Sequence, residues 1–178
     1  MRKQANALVT LSASAQKTLL LDVCKRRRIE ACGLLLGSID DLGNWYIEQV
    51  HPLHNIFDSP IYFEFAPEDL LEAELNYPGQ TVGIYHSHPT GFAAASSTDR
   101  QNMRRVNVEQ QIPWVWLIVC GPFDEEFTLL RPVRRHLGLI IEAPVIAYHH
   151  YEQEGLRRIP ILFEEASKTT SDDTTPNK

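Results

Sequence analysis

Gly83-Ile84-Tyr85-His86-Ser87-His88-Pro89, followed by Ser96-Ser97-Thr98-Asp99, decides how this chain is read. An apolar run from Val82 to Tyr85 leads into two histidines one residue apart. Alternate residues of a strand point to the same face. His86 and His88 therefore aim their rings at one point, with Ser87 turned away. Pro89 has no N–H to donate, so it ends the ladder there. A loop of small residues follows, and Ser-Ser-Thr then marks a helix N-cap region with Asp99 in the first turn. Two imidazoles and a carboxylate, held by a strand end and a helix start, make three protein ligands. Three ligands with an open fourth position is the pattern of catalytic zinc, whereas structural zinc is usually closed by four.

Each part has a plainer explanation when taken alone. His-x-His by itself is a weak metal signal. A carboxylate at a helix start is favoured by the helix dipole, and a serine just before it is a cap. The combination of strand, paired histidines, proline, small-residue loop and capped aspartate argues for a site.

The same residues resemble the signature of the JAMM (MPN-plus) metalloproteases, a family with prokaryotic JAB-domain members. The matching positions are His86-Ser87-His88-Pro89 and Ser96-x-x-Asp99. The family also has a glutamate well upstream, beside a Cys-Gly-Leu-Leu-Gly-like strand. Glu30-Ala31-Cys32-Gly33-Leu34-Leu35-Leu36-Gly37 supplies it here. The resemblance runs from about Leu11 to about Cys120 and fills all of the family's functional positions. One departure is Ala95, where many members have proline, and a looser loop is expected there.

The resemblance implies Zn2+ held by His86, His88 and Asp99, with Glu30 as general base and Ser96 as a hydrogen-bond donor to the oxyanion. It also implies the family's fold: a single-domain α/β sandwich with a mixed, curved β-sheet flanked by helices, like cytidine deaminase in architecture. The residues alone give only a one-domain α/β protein. The domain is expected over 11–163, between an unassigned segment 1–10 and a disordered polar tail 164–178.

The chemistry is consistent with these roles. Zinc can lower the pKa of a bound water to about 7, and a base is still needed to move its proton. Glu30 precedes a strongly apolar strand, where partial burial raises a carboxyl pKa. The alternative for Glu30 is a solvent-facing residue at the end of a basic helix. Ser96 has the alternative role of a helix cap. Cys32 could be imagined as a nucleophile with a nearby histidine, but a thiol within Ala-Cys-Gly-Leu-Leu-Leu reads as a small buried hydrophobe.

The resemblance further implies hydrolysis of a peptide or isopeptide bond after the C-terminal glycine of a ubiquitin-like or sulfur-carrier protein. Such a tail would add as a strand beside the site. Sulfur-carrier maturation and modifier removal, including in conjugation systems that oppose phage, both stay open. So do a non-catalytic MPN scaffold and a zinc amidohydrolase acting on a small molecule. A homodimer is compatible with the family.

Composition sets the outer bounds. With 178 residues the chain can build one real core. Its 43% hydrophobic and 22% charged residues fit a soluble globule. A net charge of -6 argues against nucleic acid and anionic membrane surfaces as partners. No apolar run approaches the ~20 residues of a membrane span, and Leu8 to Leu11 is too short for a signal peptide despite the basic start. Cys24, Cys32 and Cys120 are scattered, as expected for a reducing cytoplasm without a disulfide framework.

Residues 1–10 show no clear pattern. Periodicity predicts a helix from Ser12 or Ser14 to about Arg28, closed by Lys25-Arg26-Arg27-Arg28 complementing its dipole. Cys32–Leu36 and Trp45–Val50 read as a hairpin, with His51 and His54 in a loop. Tyr62–Phe65 reads as another strand. A helix follows from Pro67, with Leu70, Leu71 and Leu75 as its apolar side. Thr98 to about Val108 reads as a polar helix in which Arg100, Arg104 and Arg105 form a solvated face, with contact to a substrate near the site as the alternative. Trp114–Cys120 reads as a buried strand, and Phe127–Leu130, Leu137–Ile141 and Val145–Tyr148 as further extended segments. His149 and His150 are adjacent, so their rings diverge in a strand and make a poor metal pair.

Overall fold

The computed structural model describes residues 7–129, 131–135, 138–142 and 144–165, with 131–142 as backbone only. The elements are β1 (Val9–Leu11), α1 (Ala13–Lys25), β2 (Cys32–Ile39), β3 (Trp45–Leu53), α2 (Pro67–Asn76), β4 (Thr81–His88), α3 (Ser97–Arg104), β5 (Val115–Cys120), β6 (Arg131–Arg135), β7 (Gly138–Glu142), β8 (Val145–Tyr151), β9 (Gly155–Ile159) and β10 (Ile161–Phe163). Eight of these strands form one sheet in the order β10-β1-β3-β2-β4-β5-β8-β9, and β6-β7 pair separately. The sheet is mixed: β1 runs parallel to β3 and β10, β4 parallel to β5, and the other neighbours are antiparallel.

β5 shows how the strands divide two cores. Val115, Leu117 and Val119 face a core shared with Ala15, Leu19 and Val23 of α1. Trp116, Ile118 and Cys120 face the other, with Met103 of α3 and Ala73 of α2. One helix thus covers one face and two cover the opposite face, which is why a central strand here is apolar at every position. The fold is the α/β sandwich expected from the sequence.

α1 starts as the sequence suggests, with the Ser12 hydroxyl accepting from Ala15 N–H at 3.1 Å. It ends at Lys25, earlier than Arg28. Arg26 does not merely complement the dipole. Its guanidinium pairs with Asp22 and donates to the carbonyls of Leu53 at 2.6 Å and Cys32 at 2.8 Å. The helix is thereby tied to the end of β3 and the start of β2. Tyr85 of β4, fully buried, donates to the same Asp22 at 2.6 Å. That ring explains Gly33, because a Cβ there would lie 2.6 Å from Tyr85 Cε1 and 2.3 Å from the His51 carbonyl oxygen.

Several expectations are corrected. Val9–Leu11 is a strand, because β3 and β10, the latter unread from the sequence, pair with it on either side. His51 belongs to β3 and packs its ring 5.4 Å from Tyr77. Tyr62–Phe65 joins no ladder; the segment crosses the sheet end as a loop. α2 does start with Pro67, but it buries Ala73, while Leu71 and Leu75 are 62% and 73% exposed. Its register on the sheet is set by neighbours that periodicity does not see. α3 gives way at Arg105 to a π-helical turn, Arg105–Glu109. Phe127–Leu129 is not a strand. Glu164 is hydrogen-bonded to Leu11 O at 3.0 Å, so the polar tail begins attached. Leu130, Leu137 and residues 166–178 lie outside the described residues. Among the described residues, no helix is long and apolar enough to cross a membrane.

Candidate metal centre

The second face of the sheet carries the site. β4 delivers His86 and His88 from its C-terminal end, both buried, and β4 stops there as Pro89 requires. Ser87 points away and is also buried; its hydroxyl accepts from Ala31 N–H at 2.8 Å. Ser87 therefore fixes the chain one residue from Glu30, just before β2 begins.

Asp99 arrives on the first turn of α3 through a capping box. Ser96 N–H donates to Asp99 Oδ2 at 2.7 Å, and Ser96 Oγ accepts from Asp99 N–H at 3.1 Å. The loop before it is packed rather than loose: Ala95 is 3% exposed, and its carbonyl accepts from Arg100 Nε at 3.1 Å. Arg104, in turn, pairs with Glu109 on the exposed side of the helix.

His86 Nε2 and His88 Nε2 lie 3.1 Å apart, with Asp99 Oδ1 3.3 Å from the first and Oδ2 3.4 Å from the second. These three residues can hold a metal ion. Tetrahedral ligation at ~2.0–2.1 Å needs ligand atoms roughly 3.3 Å apart; the two imidazole nitrogens meet that spacing, and one ligand atom from each of the three residues lies within 4.8 Å of the others. The Phe92 carbonyl lies 2.7 Å from His88 Nδ1. It holds that nitrogen as N–H and leaves the Nε2 lone pair facing the centre. His86 stacks on Phe63, ring centroids 4.6 Å apart, and its buried Nδ1 has no hydrogen-bond partner. Glu30 Oε1 is 4.0 Å from His88 Nε2, beside the centre but outside the three-residue set.

Electrostatics follow from this crowding. Burial pushes the Glu30 carboxyl up to about 7, His88 pulling it back and Asp99 adding to the rise. Burial opposes ionisation of Asp99 too, but hydrogen bonds from both histidines and Ser96 hold it well below the usual carboxylate range. His86, wholly enclosed, is lowered by burial, against the pull of Asp99. For His88 burial is outweighed by bonds to Asp99 and the Phe92 carbonyl, so it is raised. Cys32 is pushed up to about 12 by burial, which keeps its thiol protonated and removes it as a nucleophile. His149 and His150 lie on β8 and take no part in the cluster.

A cleft opens beside the centre, lined by Glu30, Ile61, Tyr62, Phe63, Ser96, Thr98, Asp99 and Asn102. Sequence reading missed four contributors. Phe63 and Phe92 supply a ring and a carbonyl to the histidines, Ser87 anchors Ala31, and Asn55 anchors Glu30. The cap pattern at Ser96 was visible in sequence; these four depend on which loops fold over the strand end.

A family model described as prokaryotic homologs of the JAB domain matches residues 12–133. A desampylase of Pyrococcus furiosus is 32% identical over 103 residues, covering 56% of this chain and 66% of that protein. A desampylase of Haloferax volcanii is 36% identical over 97 residues, covering 52% and 63%. The aligned stretch thus spans just under two thirds of either relative. The tail tip assembly protein K of phage lambda is 41% identical over 56 residues, 32% of this chain and 25% of that one. In structure, the chain is similar to a Desulfitobacterium hafniense protein solved in solution, with a TM-score of 0.61 at 21% identity, over 89% and 94% of the two chains. That likeness bears on the fold alone. The family match starts at the cap of α1 and runs through β4 and α3, which carry His86, His88 and Asp99, and on this ground the chain belongs to the prokaryotic JAB-domain family.

Proposed function

We propose that this protein is a zinc-dependent hydrolase that cuts a peptide or isopeptide bond after the C-terminal glycine of a ubiquitin-like or sulfur-carrier protein. The observation that carries the proposal is Glu30: a buried carboxyl raised to about 7, beside the His86, His88 and Asp99 centre and on the wall of an open cleft. Two imidazoles and a carboxylate whose ligand atoms converge within 4.8 Å of one another fit zinc. When bound, zinc supplies Lewis acidity and makes water acidic near neutral pH.

The chain's own residues do the rest. Glu30 takes a proton on its carboxylate and returns it to the leaving amine, a task suited to a group poised near neutrality. The Ser96 hydroxyl accepts from Asp99 N–H, which leaves its own hydrogen to donate to a developing oxyanion. Asp99 and His88 are oriented by Ser96 N–H and the Phe92 carbonyl, so the centre is set before substrate arrives. Ile61, Tyr62 and Phe63 line one side of the cleft, where a substrate can rest against them.

The desampylase relatives support modifier removal over sulfur-carrier maturation. The cysteines Cys24, Cys32 and Cys120 are free, in keeping with a reducing cytoplasm. The deciding experiment offers the zinc-loaded protein a fusion of a ubiquitin-like domain ending in Gly-Gly to a reporter, beside a Gly→Ala version. Mass spectrometry should find one cut, directly after the final glycine, and none in the altered fusion. Equal cutting of both points to a general peptidase; cutting of neither favours the scaffold or the small-molecule amidohydrolase.

A further inference from the structure

Glu30 has no strand partner of its own; β2 begins two residues later. Both of its backbone polar groups are nevertheless satisfied, and both by the segment that follows β3. Its N–H donates to Ser59 O at 2.8 Å. Its carbonyl accepts from Asn55 Nδ2 at 3.1 Å.

Asn55 is fully buried, and every hydrogen-bonding position of its amide is used. Nδ2 also donates to Tyr62 O at 2.9 Å, while Oδ1 accepts from Phe57 N–H at 3.2 Å and Glu64 N–H at 3.4 Å. Both partners of Nδ2 are carbonyls and both partners of Oδ1 are N–H groups, so the amide has one orientation only. Ile56 N–H closes the loop on Glu64 O at 3.1 Å, and Asp58 N–H turns back to Asn55 O at 3.0 Å. The loop so formed carries Ile61, Tyr62 and Phe63 into the cleft, with Phe63 stacked on His86.

We propose that Asn55 is a positioning residue that locks the cleft wall at 61–63 to the Glu30 backbone, so that substrate resting on the wall meets a base held in register with it. The inference rests on the reading of Glu30 as the base. Its physical reason is that residues 54–66 have no ladder, so one side-chain amide does what a sheet would otherwise do. A loosened loop lets the wall and the base shift relative to one another, and a displacement of about 1 Å in such a group can cost around a hundredfold in rate.

The test compares Asn55→Ala and Asn55→Asp with a core variant on the opposite face, Val23→Ala, which destabilises without touching the loop. Aspartate keeps the acceptor for Phe57 and Glu64 but cannot donate to the carbonyls of Glu30 and Tyr62. Under native conditions the Glu30 amide should exchange with deuterium roughly tenfold or more faster in both Asn55 variants, as expected for losing about one hydrogen bond. Zinc content should stay at the wild-type level, and kcat on the Gly-Gly fusion should fall roughly ten- to a hundredfold. Val23→Ala should lower Tm and leave both readouts unchanged. Wild-type protection of the Glu30 amide in Asn55→Asp overturns the lock, as does a fall in kcat no larger than that of Val23→Ala. Full turnover in Glu30→Gln instead overturns the base assignment, and the exchange comparison then still decides whether Asn55 couples loop and strand.

Discussion

At the scale of single residues, the site is a set of groups whose partners leave little freedom. Glu30 separates binding from chemistry. Glu30→Gln keeps the shape and removes the transferable proton, so zinc content and Tm should hold while kcat drops roughly a hundredfold or more. Near-normal turnover would place the base elsewhere. Ser87 poses a different question, because its hydroxyl sits on the far side of β4 from the histidines. Ser87→Ala leaves Ala31 N–H, which is fully buried, without its acceptor. The expected loss is about 1–3 kcal/mol of stability, read as a lower urea midpoint at unchanged slope. A midpoint within error of the wild type would mean that water or a shifted backbone replaces the hydroxyl.

Among the elements, β8 carries a buried histidine that lies outside the candidate metal centre. His149 is 8% exposed, packs its ring between Trp45 and Tyr151, and has Nδ1 2.9 Å from Trp114 O. Burial lowers its pKa; the Trp114 carbonyl pulls the other way, and His150 adds to the fall. The unfolded chain takes up a proton near pH ~6.5, whereas the folded chain resists until lower pH. In that window the unfolded state binds more protons, so this part of stability is complete above ~6.5 and is lost as pH falls through the folded value. Urea midpoints of metal-free protein at pH 7.5 and 5.5 should therefore differ more in the wild type than in His149→Gln. Equal differences would show that another group dominates the acid side.

At the scale of the whole molecule, β10 forms one edge of the main sheet. β10 pairs in parallel with β1, Val9 N–H reaches Pro160 O at 2.9 Å, and Gln16 Nε2 reaches Glu164 O at 2.8 Å. Ending the chain after Ile159 strips these bonds and uncovers Val9 and Leu11, both fully buried. A loss of roughly 2 kcal/mol or more is expected from the bonds and apolar area, or about 4–8 °C in Tm. Zinc binding should survive, because β3 and β2 stand between this edge and β4. A truncated chain with an unchanged Tm would show that β10 is not needed to hold β1.

The sequence by itself determined what depends on local spacing. Alternation put His86 and His88 on one side of β4, Pro89 ended the strand, and Ser96 with Asp99 specified a cap; each follows from backbone periods that operate over a few residues. The buried central strands were legible too, since continuous apolar runs have to be covered on both faces, whereas the layered arrangement came from the family resemblance. Tertiary structure decided what depends on distant partners. Val9–Leu11 is a strand because Trp45–Ile47 and Ile161–Phe163 lie on either side of it. α2 turns Ala73 inward and leaves Leu71 and Leu75 in water because its helical stripe is chosen by the sheet it meets. Tyr62–Phe65 alternates like a strand, yet Asn55 holds it as a loop over the metal centre, because a saturated buried amide offers those backbone groups partners that no neighbouring strand supplies.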